Sequence, residues 1–513
     1  MDYLLATVGT PTRTGTMAAS PSRLATRCAA VAVLLLWTVV AWAGWNYIGL
    51  NSDGSFFVAS IVSKGGFTSY GDYDRLYAIA LSQAPMVLAL RLGVTDLEWI
   101  ARIYSWTTLG FPALVYTAAL MRARRDETVQ ALVTAAIAAI FLPSCLFSVG
   151  EYNLAYAAVI AAAVWIVTAR GPSVADACVL LLLGILCLRA YEGLLYLGPL
   201  VAALVLRSPP PVPPALSAPG RAAAAAMVLP VVLAAAALLL RQAFPLVAVV
   251  AVAGFGLWAW RFPDRAAPLL GAIPYGIAAL FLVGSVFAAG SARFADGAYS
   301  PQGVLWDTIR DNLALFNPQF LLATVTVVLV AAAITLRNRS LASVGLLGMV
   351  GLALLPALQD HGTGSLPLSY LHYQVRQFCG LLTAAFLVLL LFRGRRRQSA
   401  PEWSLVLGLA ALVAVLPSTL HAAGEWGDAV HALQDVVASR SGVVAYRDLP
   451  AGVKRWYAPE ESQAEFLPGL SRLLRRSPRD GLVLDLRPLR PGIVVADESS
   501  YLLPIADRYA WHR

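Results

Sequence analysis

Two carboxylates and a few cations hold the chemistry this sequence offers. Asp53 stands in LNSDGSFF, a few residues past a long apolar run, and Glu151 stands in SVGEYN at the edge of another. An acid beside hydrocarbon is costly to keep ionised, and burial tunes its pKa toward accepting a proton. Such a group can take the proton of an acceptor hydroxyl. An arginine nearby would grip a phosphate bidentately and stabilise it as it leaves; Arg376, Arg189 and Lys64 are the cations so placed. Asp72 and Asp74 have the DxD spacing that could ligate a divalent cation, Mg or Mn, through hard oxygens. Together with Glu192, His372 and Tyr373 they form the remaining polar set open to a substrate.

Each residue also has an ordinary structural use. Arg189 and Glu192, three apart, would pair with each other at a helix end. Asp53 would cap a helix before GSFF, Glu151 would be a solvated loop residue, and Asp72 and Asp74 surface loop carboxylates. His361 and His372 have no second ligand at helical spacing and read as loop histidines.

The elements that must position these groups are membrane spans. The 513 residues are 59% apolar and 13% charged, with mean hydropathy +0.69, whereas a soluble domain is about a quarter charged. The chain therefore reads as an all-α polytopic membrane protein. Its net charge of +9 comes from arginines clustered between apolar runs, as the positive-inside rule requires, so nucleic acid is not an expected partner. The five cysteines show no CxxC or Cys/His spacing and predict neither a disulfide framework nor a thiolate metal site.

A cytoplasmic tail is expected over 1–27, with Met17 an alternative start. Residues 28–50 are too long for a signal-peptide core and read as a retained span. A long outer loop, 51–102, follows, with 76–102 as interfacial helices. Spans then lie near 103–121, 128–146, 153–169, 175–190, 193–206, 222–240, 244–260, 267–290, 319–336, 340–357, 377–392 and 402–421, about 13 in all. This thread places every later arginine cluster on the side of the N-terminus. The membrane part divides into modules 28–206 and 222–421, joined by a stiff Pro-rich cytoplasmic linker, 207–221. The tail, 422–513, changes to mixed composition and reads as a small extracytoplasmic α/β domain. Its expected strands are GVVAY (442–446), GLVLDL (481–486) and GIVVADE (492–498), and its expected helices 425–438 and 461–475.

An acid just outside the first span, an interfacial helix, a Gly-rich break, then Pro85 and an apolar helix ending in LGV…IARIYS resembles the first loop of the GT-C glycosyltransferase superfamily. That superfamily includes protein O-mannosyltransferases and lipid A aminoarabinose transferases. The similarity covers Ala29 to Gly171, and Leu368 to Phe386 is loosely similar to the approach to a late span in those families. Pro85 is single where several relatives have a pair, and Gly54 follows Asp53 where many have an acid or histidine. The resemblance implies a GT-C-like fold in a bacterial cytoplasmic (inner) membrane and transfer from a polyprenyl-phosphate sugar donor to a glycan, lipid or protein acceptor at the outer face. It implies Asp53 and Glu151 as catalytic carboxylates, with inversion at the sugar. An O-antigen-type polymerase or ligase, and a membrane transporter, are the alternatives.

Overall fold

The computed structural model describes residues 22–51, 53–68, 75–145, 151–169, 173–207, 244–289, 380–381, 383–394, 403–456, 466–476 and 483–485, and positions 505, 509 and 511. These are predominantly helical. Ser22 accepts the Ala25 amide and opens α1 (Arg23–Trp45). α2 (Asp53–Lys64), α3 (Leu76–Arg91) and α4 (Leu97–Ala123) follow.

α1 and α4 run antiparallel along their whole length. At one end the Ser22 hydroxyl donates to Glu127, just past α4. Midway Trp37 Nε1 donates to Thr117 Oγ1 at 3.1 Å. At the other end the Tyr47 hydroxyl donates to Glu98 at 2.7 Å. Residues 48–96 thus begin and finish at one place. α3, about 24 Å long at 1.5 Å per residue, is shorter than a ~30 Å hydrocarbon core. The stretch 76–102 is divided between two helices: 76–91 form α3, and 97–102 form the first turns of α4. Asp96 caps that helix through the Glu98 amide, and Glu98 pairs with Arg102 one turn on.

α5 (Glu127–Ser144) is capped by Asp126 and widens into a π turn at Ile137–Phe141. α6 (Glu151–Thr168) is buried from Glu151 to Ile166 with no exposed face, which places it at the centre of the bundle. α7 (Val174–Leu186) and α8 (Leu194–Arg207) pack beside it, α9 (Phe244–Arg261) packs on α7, and α10 (Pro263–Ala289) packs on α7 and α8. α11 (Thr383–Gly394) and α12 (Trp403–Ser439) complete the bundle. Small residues bring the helices close: a Cβ on Gly284 would stand 2.6 Å from the Cys187 carbonyl oxygen, so α10 can only approach there with glycine.

Among the described residues, five helices are long and apolar enough to cross a membrane: α1, α5, α6, Leu269–Ala289 within α10 and Gly408–Ser439 within α12. That is fewer than the about 13 expected from apolar runs. The runs at 193–206, 244–260 and 377–392 form shorter apolar helices, 175–190 forms α7 and a following 3-10 turn, and 103–121 lies within α4, where Tyr104, Ser105, Trp106, Thr107 and Thr108 make it less apolar. The runs at 222–240, 319–336 and 340–357, and the linker from 208 on, lie outside the described residues. Exposed Trp42, Trp45 and Trp99 gather at the Tyr47 end and Trp260 stands at the other, where amphipathic rings favour a membrane–water boundary.

α12 does not stop where the composition changes. It runs on to Ser439, so position 422 falls inside the helix. Gly427 allows this, because a side chain there would overlap Asn46, just past the end of α1. Beyond it, β1 (Val443–Ala445) and β2 (Val483–Asp485) pair in parallel, Val444 opposite Leu484. α13 (Ala451–Trp456) and α14 (Phe466–Leu473) lie between them in the chain. Two of the expected strands thus form; 492–498 lies outside the described residues.

Candidate functional site

The starts of α3 and α6 and the turn at 187–192 meet at Arg75, toward the Tyr47 end, and the start of α2 packs on Gly49 and Tyr104 at that same end. Arg75 is the residue before α3 and is 2% exposed. Its Nη1 donates to Glu151 Oε2 at 3.1 Å and its Nε to Glu192 Oε1 at 3.0 Å, and Nη2 donates to that same Glu192 oxygen. The guanidinium stands 5.7 Å from the centre of the Tyr191 ring. A cation at the positive pole of a helix is unfavourable, and the two carboxylates offset that cost. Arg75 thereby ties together segments 76 and 117 residues away in the chain.

Asp53 is the first residue of α2 and is half-buried. Glu151 is the first residue of α6 and is 2% exposed. Each sits where a helix's amide pole favours negative charge. Both act electrostatically on the Tyr104 hydroxyl, and a Cβ on Gly54 would be 3.5 Å from Tyr104 Cε1, so the two acids approach the same tyrosine from different helices. Glu151 is committed to Arg75 through one oxygen, which leaves Asp53 as the more accessible of the pair.

Arg189, 4% exposed, ends the 3-10 turn after α7. Its guanidinium stands 4.8 Å from the centre of the Phe287 ring and acts on the hydroxyl of Tyr77, two residues from Arg75. Lys64 is not part of this group. It is exposed, reaches Thr68 Oγ1 at 3.4 Å, and lies at the far end of α2, roughly 16 Å from Asp53 at 1.5 Å per residue. Asp72, Asp74, His372, Tyr373 and Arg376 lie outside the described residues. Among the described residues no three His, Cys, Asp or Glu side chains gather to hold a metal ion.

The centre of the cluster, Arg75, was visible in the sequence only as one of several cations in the first loop. Its signal was position. A lone arginine opening an apolar helix stands against the helix dipole and needs carboxylates from elsewhere.

Tyr47 fixes the frame around α2. It holds a left-handed backbone, φ 58°, unusual for a residue with a side chain. Its hydroxyl donates to Glu98 and accepts from Arg102 Nη2 at 2.9 Å, and its carbonyl accepts the Trp426 indole N–H at 2.9 Å. Burial pushes the phenol up and the Glu98 hydrogen bond adds to this, so the hydroxyl stays a donor. Trp511 stacks at a tilt on the same ring, 5.2 Å between centres. In α14, a Cβ on Gly469 would stand 3.8 Å from the Phe56 amide. The described tail therefore rests on the first turns of α2, beside Asp53.

Gly54 tests this placement. A side chain there would overlap the Gly49 carbonyl oxygen, which is backbone and cannot swing away. Gly54→Ala is expected to cost about 1–3 kcal/mol of stability through overpacking, read as a lower unfolding temperature in detergent. Gly66→Ala, where nothing stands within 4 Å, should melt like the parent.

Comparison of the chain with protein-family models, with curated proteins and with solved structures finds no match.

Proposed function

We propose that this chain is an integral membrane glycosyltransferase of GT-C type, moving a sugar from a polyprenyl-phosphate donor to a glycan, lipid or protein acceptor at the outer face of a bacterial cytoplasmic membrane. One observation carries the reading: a half-buried carboxylate, Asp53, opens a helix at the same end of an apolar bundle as a buried arginine–carboxylate cluster. Asp53 takes the proton of the acceptor hydroxyl. The acceptor oxygen bonds to the anomeric carbon while the bond from that carbon to the phosphate oxygen breaks, and polyprenyl phosphate leaves. A single displacement of this kind inverts the sugar. Arg189 and Arg376 are the proposed phosphate ligands. Glu151, held by Arg75, is a positioning residue in this scheme.

The finer topology belongs to the same proposal: about 13 spans, a cytoplasmic N-terminus, and the tail as an extracytoplasmic α/β cap over the first loop. The position of α14 on α2 supports the capping role. Asp72 and Asp74 are proposed to contact the donor, with or without Mg or Mn.

The test is donor consumption. Purified full-length protein is incubated with a panel of radiolabelled polyprenyl-phosphate sugars and membrane acceptors, with and without EDTA. One donor should be consumed, with label appearing on an acceptor. No consumption across hexose, pentose and aminosugar donors would overturn the proposal.

A further inference from the structure

The end of the bundle opposite Asp53 contains a cavity of about 770 Å³, lined by Arg122, Arg124, Arg125, Asp126, Thr168 and Asp176 among others. It lies between the end of α4, the end of α6 and the start of α7. We infer that this cavity binds the phosphodiester headgroup of an anionic membrane lipid, independently of any chemistry at Asp53.

The charges around the cavity are unequally spent. Arg122 is held in place: its Nη2 donates to Asp176 Oδ2 at 2.8 Å, its Nε donates to Thr168 Oγ1 at 2.9 Å, and its guanidinium stands 5.9 Å from the centre of the Trp165 ring. Asp126 is occupied in capping α5, accepting the Val129 amide at 3.1 Å. Glu127, next in the chain, accepts from Ser22. Each nearby carboxylate is thus engaged elsewhere, while Arg124 and Arg125 are exposed and form no ion pair among the described residues. Two exposed arginines thus line the same cavity as a fixed third one, and a guanidinium is a planar, bidentate donor that suits phosphate oxygens.

The cavity's place in the bundle selects a lipid over a soluble anion. Exposed Met121 and part-buried Val167 belong to its lining, giving apolar surface for the glycerol and the first acyl carbons below the headgroup. α5 and α6, both long and apolar enough to cross a membrane, start or end at this level. Basic pockets between spans on one membrane side are where acidic headgroups gather.

Native mass spectrometry of the full chain in detergent tests the assignment, with phosphatidylglycerol, phosphatidylcholine and inorganic phosphate as separate probes. The parent should retain phosphatidylglycerol in preference to phosphatidylcholine. At about fivefold per basic residue, the double variant Arg124→Gln/Arg125→Gln should bind it about thirtyfold more weakly. Both arginines are exposed, and an unchanged elution volume will show that the variant folds. The control is Arg261→Gln/Arg265→Gln, which removes the same charge from the same end of the bundle, beside Phe262 rather than in the cavity. Equal weakening in the control would reduce the effect to general surface charge and overturn the site. Unchanged retention in the Arg124/Arg125 variant, or displacement of all bound lipid by millimolar phosphate that itself binds as an adduct, would also overturn the lipid assignment.

Discussion

Arg75→Met is expected to be among the most damaging single substitutions in the bundle. The Arg75 and Glu151 side chains are each 3% exposed, and removing one partner of a buried pair leaves an uncompensated charge at a cost of about 3–5 kcal/mol. Glu192 loses the two N–H donors that Arg75 gives it in the same step. The melting transition in detergent should fall steeply, and sugar transfer with it, because α3, α6 and the 187–192 turn would no longer share a tie. Arg75→Lys keeps a charge but loses the fork that reaches two carboxylates at once, so it should fall between the parent and Arg75→Met. The pair Arg75→Met/Glu151→Met replaces both members with apolar groups and should recover part of the loss, since an absent pair is less harmful than a broken one. A parental melting curve for Arg75→Met would show that the cluster does not hold the bundle together.

That cluster marks the border of what the sequence could reveal. Apolar runs locate most of the described helices, because hydropathy is local and a span needs only length and composition. The acids at the starts of α2 and α6 were equally visible, each standing against an apolar stretch. Which residues Arg75 would touch was not, since its partners come from α6 and the turn before α8, and nothing in local spacing encodes that meeting. Arg189 and Glu192 illustrate the same limit: three residues apart, they invited a local pairing, yet Glu192 takes two N–H donors from Arg75, 117 residues away in the chain. The run past position 421 shows another limit, the continuity of a helix through a change of composition. Its composition turns from apolar to mixed past 421, but a helix needs no change of backbone there, and Gly427 lets it pass the end of α1 at Asn46. In the tail, short apolar runs opened by glycine identified β1 and β2, while the packing of α14 on α2 had no local sign.

Asp53→Asn separates chemistry from architecture, and it is expected to lower kcat for sugar transfer by about 10²–10⁴, the usual worth of a positioned general base. Asparagine keeps the size and one oxygen of the side chain but cannot take the acceptor proton. KM for the donor should therefore change little, provided Arg189 and Arg376 hold the phosphate as proposed. The structural cost should be small: at the first residue of α2 the lost charge–dipole attraction is worth about 0.3–1 kcal/mol, so the melting transition should stay near the parent's. Asp53→Glu restores a base but moves it by one methylene on a helix start that Gly54 and Gly49 hold in close contact, so it should recover activity only in part. If Asp53 instead served to orient α2, Asn and Glu would alter melting and KM together and leave the pH dependence of kcat intact. Loss of the acidic limb of the kcat profile in Asp53→Asn, with α2 still folded, is what assigns the proton to this carboxylate. Full activity in that variant would remove it from the reaction.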